Sequence, residues 1–245
     1  MKHFKFLAIA LTILMGTTFT SCLDSDSGPM EWMTTVTINN DGIFGVSVKG
    51  DDGITYYVQN PTAMQLKDGD GLGYYPERAV IVYTLSDGEV ATDEKTSYKV
   101  DFSRYYLIFH VNDLSYDDTQ ESKTPIIELS TPSWQGEWAG GYYLNLAFRA
   151  LVDDEDSKQE DYVLFVDEVD GDNLYLKLVQ TREVTNNYSD GYVLYYSFRI
   201  PNKYDLESEF GLDLSNDSKI NVVVRADGKS GTELKTDKIV VELKD

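Results

Sequence analysis

The chain has 245 residues, 42% of them hydrophobic and 13% aromatic, and its 42 acidic side chains outnumber 21 basic ones for a net charge of −21. This composition is ample for building cores, and the length fits one large β domain or two of about 100 residues. Such a charge repels phosphate backbones and anionic headgroups, which argues against nucleic acid as a partner.

Lys2, His3 and Lys5 open the sequence, Phe6 to Met15 form a ten-residue run with nine apolar members, and small residues lead to Phe19-Thr20-Ser21-Cys22. This order predicts a secretory signal over residues 1–21, too short to span a bilayer as a mature helix. Cys22, the single cysteine, resembles the acylated residue of a bacterial lipobox, with Phe19 where leucine is usual. A secreted chain with one cysteine makes no internal disulfide, and acylation removes the exposed thiol. The plainer alternative is an ordinary secretory signal with an incidental cysteine. One acyl chain anchors only marginally and two or three anchor durably, so acyl chains on Cys22 are the expected sole membrane contact. Loss of residues 1–21 removes two lysines and no acid, and leaves a mature charge of −23.

Residues 22–32 read as an acidic flexible tether, because Leu23-Asp24-Ser25-Asp26-Ser27-Gly28 cannot bury enough to order. The acids also resemble the surface-export signal of Bacteroidetes-type lipoproteins, here broken by Ser25. The expected address is therefore the outer membrane of a Gram-negative, Bacteroidetes-type cell, on its periplasmic side or at the cell surface.

The rest of the chain reads as all-β. Short runs rich in Val, Ile, Tyr and Phe are punctuated by Asn40-Asp41-Gly42, Asp51-Asp52-Gly53, Asp68-Gly69-Asp70-Gly71, Asp87-Gly88, Asp170-Gly171, Asp190-Gly191 and Asp227-Gly228. Alternation puts Tyr98, Val100 and Phe102 on one face, and does the same for Leu144, Leu146 and Phe148. It recurs at Leu174, Leu176 and Leu178, at Leu194, Tyr196, Phe198 and Ile200, and at Ile239, Val241 and Leu243. Ala79 to Tyr83 is apolar throughout, as in a strand covered on both sides. Only residues 204–212 (YDLESEFGL) allow a turn or two of helix. Thr131-Pro132, followed by an aromatic-rich start at Trp134, suggests a boundary. A small barrel over residues 33–130 and an antiparallel sandwich over 131–245 fit the strand counts, and one large sandwich is the alternative.

The junction Ser21-Cys22-Leu23-Asp24, the strand Glu77 to Tyr83 and the segment Pro125 to Leu129 together resemble the NigD-like lipoprotein family. The segments Gly141 to Phe148 and Tyr196 to Pro201 resemble its second half. The resemblance implies an N-terminal OB-like barrel and a C-terminal β-sandwich. It brings no catalytic residues. The family is named for a bacteriocin operon, which implies a protective or immunity role as an alternative function.

Candidate chemistry is sparse. His110, the one histidine after the signal, reads as a strand residue rather than a catalytic base. One histidine without a free cysteine excludes the usual zinc sets, and no serine elbow, P-loop or dinucleotide motif occurs. Carboxylates are too abundant for any acid/base pair to stand out. Asp68 with Asp70, and Asp153-Asp154-Glu155-Asp156, bring hard oxygen ligands together without calcium-loop spacing, and read as a turn and an acidic loop. Five Tyr-Tyr doublets (56–57, 74–75, 105–106, 142–143, 195–196) should mostly place one ring inward and one outward. The outward rings, with Trp134 and Trp138, form either a platform for sugars or a protein partner, or plain cross-strand pairs. The expectation is a non-catalytic, lipid-anchored envelope protein that binds another envelope protein or a glycan. It is expected to be no enzyme and to carry no metal or cofactor.

Overall fold

The computed structural model describes residues 29–40, 46–92, 94–138, 140–152, 161–185, 191–214 and 219–243. The signal, Cys22 and the acidic run 153–156 lie outside them. The described chain divides into two compact units, one ending at Phe109 and the other beginning at His110.

The first unit is a barrel. Its elements are β1 (Glu31–Asn40), β2 (Val46–Gly50), β3 (Thr55–Val58), a 3-10 turn (Pro61–Met64), the short β4 (Leu66–Lys67) and β5 (Gly73–Tyr74), β6 (Arg78–Leu85) and β7 (Ser97–Ile108). The strands close in the order β1-β2-β3-β7-β6, with β4 and β5 paired only to each other. All barrel pairs are antiparallel except β3·β7. This is the expected OB-like barrel, with a helical turn between its third and fourth strands. Tyr98, Val100 and Phe102 face inward onto Val36, Ile38, Val48, Tyr56 and Ile81, as their alternation requires. Ala79 to Tyr83 is buried at every position. Asn60 ties the crossover to β7: its amide donates to the Phe102 carbonyl at 3.0 Å, and its Oδ1 accepts from the Phe102 N–H at 2.8 Å.

Arg78 is 0% exposed although it carries a charge. Its guanidinium donates to both Asp51 oxygens, at 2.6 and 2.9 Å, and to the Thr37 hydroxyl at 3.0 Å. Its Cζ lies 6.0 Å from the centre of the Phe109 ring. The bidentate geometry is what makes a charge tolerable there.

The second unit is a two-sheet sandwich. One sheet runs β10 (Ser133–Trp138), β11 (Gly141–Ala150), β14 (Tyr192–Pro201), β8 (His110–Asp113), with β9 (Ile126–Leu129) also on β11. The other runs β12 (Tyr162–Asp170), β13 (Asn173–Gln180), β15 (Lys219–Asp227), β16 (Glu233–Lys235), with β17 (Ile239–Glu242) also on β15. Leu144, Leu146 and Phe148 of the first sheet meet Leu174, Leu176 and Leu178 of the second in one core. Each such side chain contributes roughly 1.5–3 kcal/mol on full burial.

Two details differ from the sequence reading. The sandwich is mostly antiparallel, but β14·β8 and β13·β15 are parallel. The division also falls after Phe109 rather than at 130/131, because β8 and β9 hydrogen-bond into the sandwich sheet through Tyr196–Arg199 and Phe148–Ala150. Asn145 and Ala147, on the face of β11 opposite Leu144, Leu146 and Phe148, are buried as well. Ser197 donates to the Asn145 Oδ1, and the Ser130 hydroxyl donates to the Ala147 carbonyl at 2.6 Å, so these polar groups are satisfied in place.

Candidate functional site

The residues singled out from the sequence mostly serve the fold. Asp68 Oδ1 accepts from the Asp70 N–H at 3.0 Å and the Leu72 N–H at 2.8 Å, which makes this pair a side-chain-stabilised turn. Among the described residues no group of three or more His, Cys, Asp or Glu is placed to hold a metal ion. His110 opens β8 opposite Tyr196, with ring centres 5.1 Å apart, and desolvation lowers its pKa. Trp138 donates to the Tyr142 and Ile200 carbonyls at 3.1 and 3.3 Å, and Trp134 packs on Tyr142 and the core. Both indoles are half-buried and committed to packing, so of the two readings of these rings the packing one holds at Trp134 and Trp138. The doublets divide largely as expected: Tyr56 is buried and Tyr57 is 57% exposed, while Tyr143 and Tyr196 are buried beside half-buried neighbours.

A different aromatic platform stands out in the sandwich unit. Tyr116 is 61% exposed, yet its ring stacks on Phe210 with centres 5.2 Å apart and planes 15° apart. The stack is held from both sides. Leu114 is buried and its N–H donates to the Arg199 carbonyl at 3.1 Å; the Ser115 N–H donates to the Leu164 carbonyl at 2.8 Å. Asp117 then closes a turn by accepting from the Thr119 N–H at 3.0 Å and the Gln120 amide at 2.7 Å. These bonds, those from Thr119 foremost, hold its carboxyl below the usual range.

Phe210 arrives on a short helix, Lys203–Phe210, which follows β14 directly. Asn202 caps it, with Oδ1 accepting from the Asp205 N–H at 3.0 Å, and Gly211 ends it at φ 72°, where a left-handed conformation favours glycine. Leu206, fully buried, fixes the helix to the core, and Phe210 packs partly against the same core. Asp205 and Glu209, four apart, share one helix face.

Three carboxylates act electrostatically on the Tyr116 hydroxyl. Burial raises the Tyr116 hydroxyl above its ordinary range, and Asp205, Glu209 and Asp113 raise it further. Asp113 accepts from Arg199 at 2.9 Å, and Arg199 lies 6.0 Å from the Trp138 ring centre. The arrangement offers an exposed aromatic face under the influence of nearby carboxylates, which suits binding. Sequence reasoning missed it because Tyr116 and Phe210 are far apart in the chain. The one local signal was Leu114-Ser115-Tyr116 inside an otherwise polar, acidic stretch.

No family model matches the chain, and no curated protein matches it in sequence. Solved structures do match. An uncharacterized protein from Parabacteroides merdae is 9% identical, with a TM-score of 0.57 over 87% of this chain and 99% of that one. The likeness is one of fold. A protein provisionally named a lipoprotein, from Bacteroides fragilis, is 11% identical, with a TM-score of 0.53 over 88% of this chain and 99% of that one. The chain is also similar to a NigD-like immunity protein from Bacteroides caccae, 15% identical over 88% of this chain and 99% of that one, at a TM-score of 0.41. No helix among the described residues is long and apolar enough to cross a membrane.

Proposed function

We propose that this chain is a non-catalytic envelope protein, anchored by acyl chains on Cys22 in the outer membrane of a Bacteroidetes-type cell. It captures a protein or glycan partner through the sandwich unit. The observation that carries the reading is the Tyr116–Phe210 stack: a large aromatic ring left open to solvent, yet fixed by a buried neighbour on each element that bears it. Exposed rings held this rigidly lose little entropy on binding, which is how aromatic anchors gain affinity. The signal and lipobox-like junction support the address, and the mature charge of −23 disfavours nucleic acid.

The test has two arms. Cys22→Ala should move the protein from the membrane fraction to the soluble envelope fraction; retention in the membrane after signal cleavage refutes the anchor. The lipidated wild type and Tyr116→Ala are then compared on arrays of envelope glycans and purified envelope proteins. A ligand held by the wild type and lost by the variant supports the reading. Identical binding profiles refute it.

A further inference from the structure

We propose that the Tyr116–Phe210 platform accepts the cationic side chain of a lysine or arginine on a basic segment of a protein partner. The inference rests on the binding function proposed above and narrows its ligand class.

Three observations converge. The carboxylates at the platform come from two separate elements: Asp113 from the end of β8, Asp205 and Glu209 from one face of the helix. An aromatic face is attractive to cations, and carboxylates at its edge add charge-assisted hydrogen bonds to the same group. Among the described residues, Glu209 has no hydrogen-bond or ion-pair partner of its own, so its charge is available to an incoming group.

The second observation is a template within the same unit. On the second sheet the Arg225 guanidinium sits 3.9 Å from the centre of the Tyr175 ring and donates to Asp167 at 3.1 Å and Glu168 at 3.0 Å. One aromatic face and two carboxylates hold one guanidinium there. The Tyr116 platform likewise combines an aromatic face with two nearby carboxylates, Asp205 and Glu209, while Asp113 is engaged by Arg199. A side chain from a partner would complete the second copy of this arrangement.

The third is the field of the whole chain. A mature charge of −23 draws basic segments toward the surface and repels acidic ones, so encounter favours a cation over a neutral ring. A sugar would use the same ring through its C–H face and the same carboxylates through its hydroxyls. It would gain nothing from the long-range field.

The experiment titrates full-length lipidated protein in detergent micelles with fluorescein-labelled hexa-arginine, read by anisotropy at low and at physiological salt. Labelled maltohexaose serves as the neutral oligosaccharide. The expected result is saturable hexa-arginine binding that weakens at least tenfold in Tyr116→Ala and in the pair Asp205→Asn with Glu209→Gln. Tyr116→Phe, which keeps the ring, should bind within twofold of wild type and shows that the site still folds. A remote pair, Asp237→Asn with Glu242→Gln, should also stay within twofold. Equal losses from the remote and the platform pairs would overturn the proposal, because the attraction would then be diffuse. Tyr116-dependent binding of maltohexaose without Tyr116-dependent peptide binding would overturn it in favour of a glycan while leaving the binding function standing. If neither probe depends on Tyr116, the proposal is refuted along with the platform reading on which it rests.

Discussion

Breaking the buried ion pair of the barrel should be among the costliest substitutions in the first unit. Arg78 and Asp51 have side chains 0% and 4% exposed and meet through two hydrogen bonds of 2.6 and 2.9 Å. Asp51→Ala removes both of these carboxylate oxygens from a guanidinium that is fully buried. Removing one partner of a buried ion pair costs about 3–5 kcal/mol. Replacing both partners, Arg78→Met with Asp51→Ala, removes the desolvation penalty together with the attraction, and such exchanges are often close to neutral. The double variant should therefore be more stable than the Asp51→Ala single, although it carries one more substitution. Native-state hydrogen exchange of peptides covering β1 and β6 measures this within the barrel alone. Since about 1.4 kcal/mol is a factor of ten, Asp51→Ala should speed their slowest amides by roughly 100- to 4,000-fold. An acceleration below tenfold, or a double variant no better than the single, would refute the reasoning.

Burial raises the hydroxyls of Tyr56, Tyr105, Tyr162 and Tyr196 well above the ordinary tyrosine range. A group with a raised folded pKa stabilises below its unfolded value, about 10, and loses that contribution as pH rises, so stability should fall above pH ~10. Ultraviolet titration should show exposed tyrosines ionising first and these four only with unfolding; a single uniform transition near 10 in folded protein would contradict the burial. His110 behaves in the opposite sense, since desolvation lowers its folded pKa. Its contribution is present above about pH 6.5 and lost as pH falls through the lower folded value, so His110→Gln should flatten the acid side of the stability profile. An unchanged slope on that side would exclude His110 as the cause. Asn202→Ala removes the cap that starts the helix carrying Phe210, at a cost of about 1 kcal/mol. Hydrogen exchange over 203–210 should quicken, and unchanged protection there would show that Leu206 alone holds the helix.

Much of the fold is legible in the residues, element by element. Alternation put Tyr98, Val100 and Phe102 inside the barrel and Leu174, Leu176 and Leu178 inside the sandwich, because a period of two is a local property of a strand. The unbroken run Ala79–Tyr83 correctly signalled a strand covered on both sides. Pairing partners are not local. Nothing in the sequence of β8 says that it lies parallel to β14, so the end of the first unit was read too late. Asp51-Asp52-Gly53 was read as a turn, and Asp52 does accept from the Ile54 N–H at 2.9 Å. Composition could not show that Asp51, one residue earlier, turns back onto Arg78. The platform was hidden for the same reason. Trp134 and Trp138 looked like the exposed aromatics, but the indole of Trp138 found backbone carbonyls, whereas Tyr116 in a polar stretch met Phe210 only through the fold.

The most direct test of the account is photo-crosslinking in intact cells from a benzoylphenylalanine placed at position 116, with a second at position 57 as an exposed tyrosine of the other unit. The account predicts a discrete adduct from position 116, abolished by Asp205→Asn with Glu209→Gln, and none from position 57. Indistinguishable adducts from both positions, or none from 116, would contradict the claim that this platform is where the protein meets its partner.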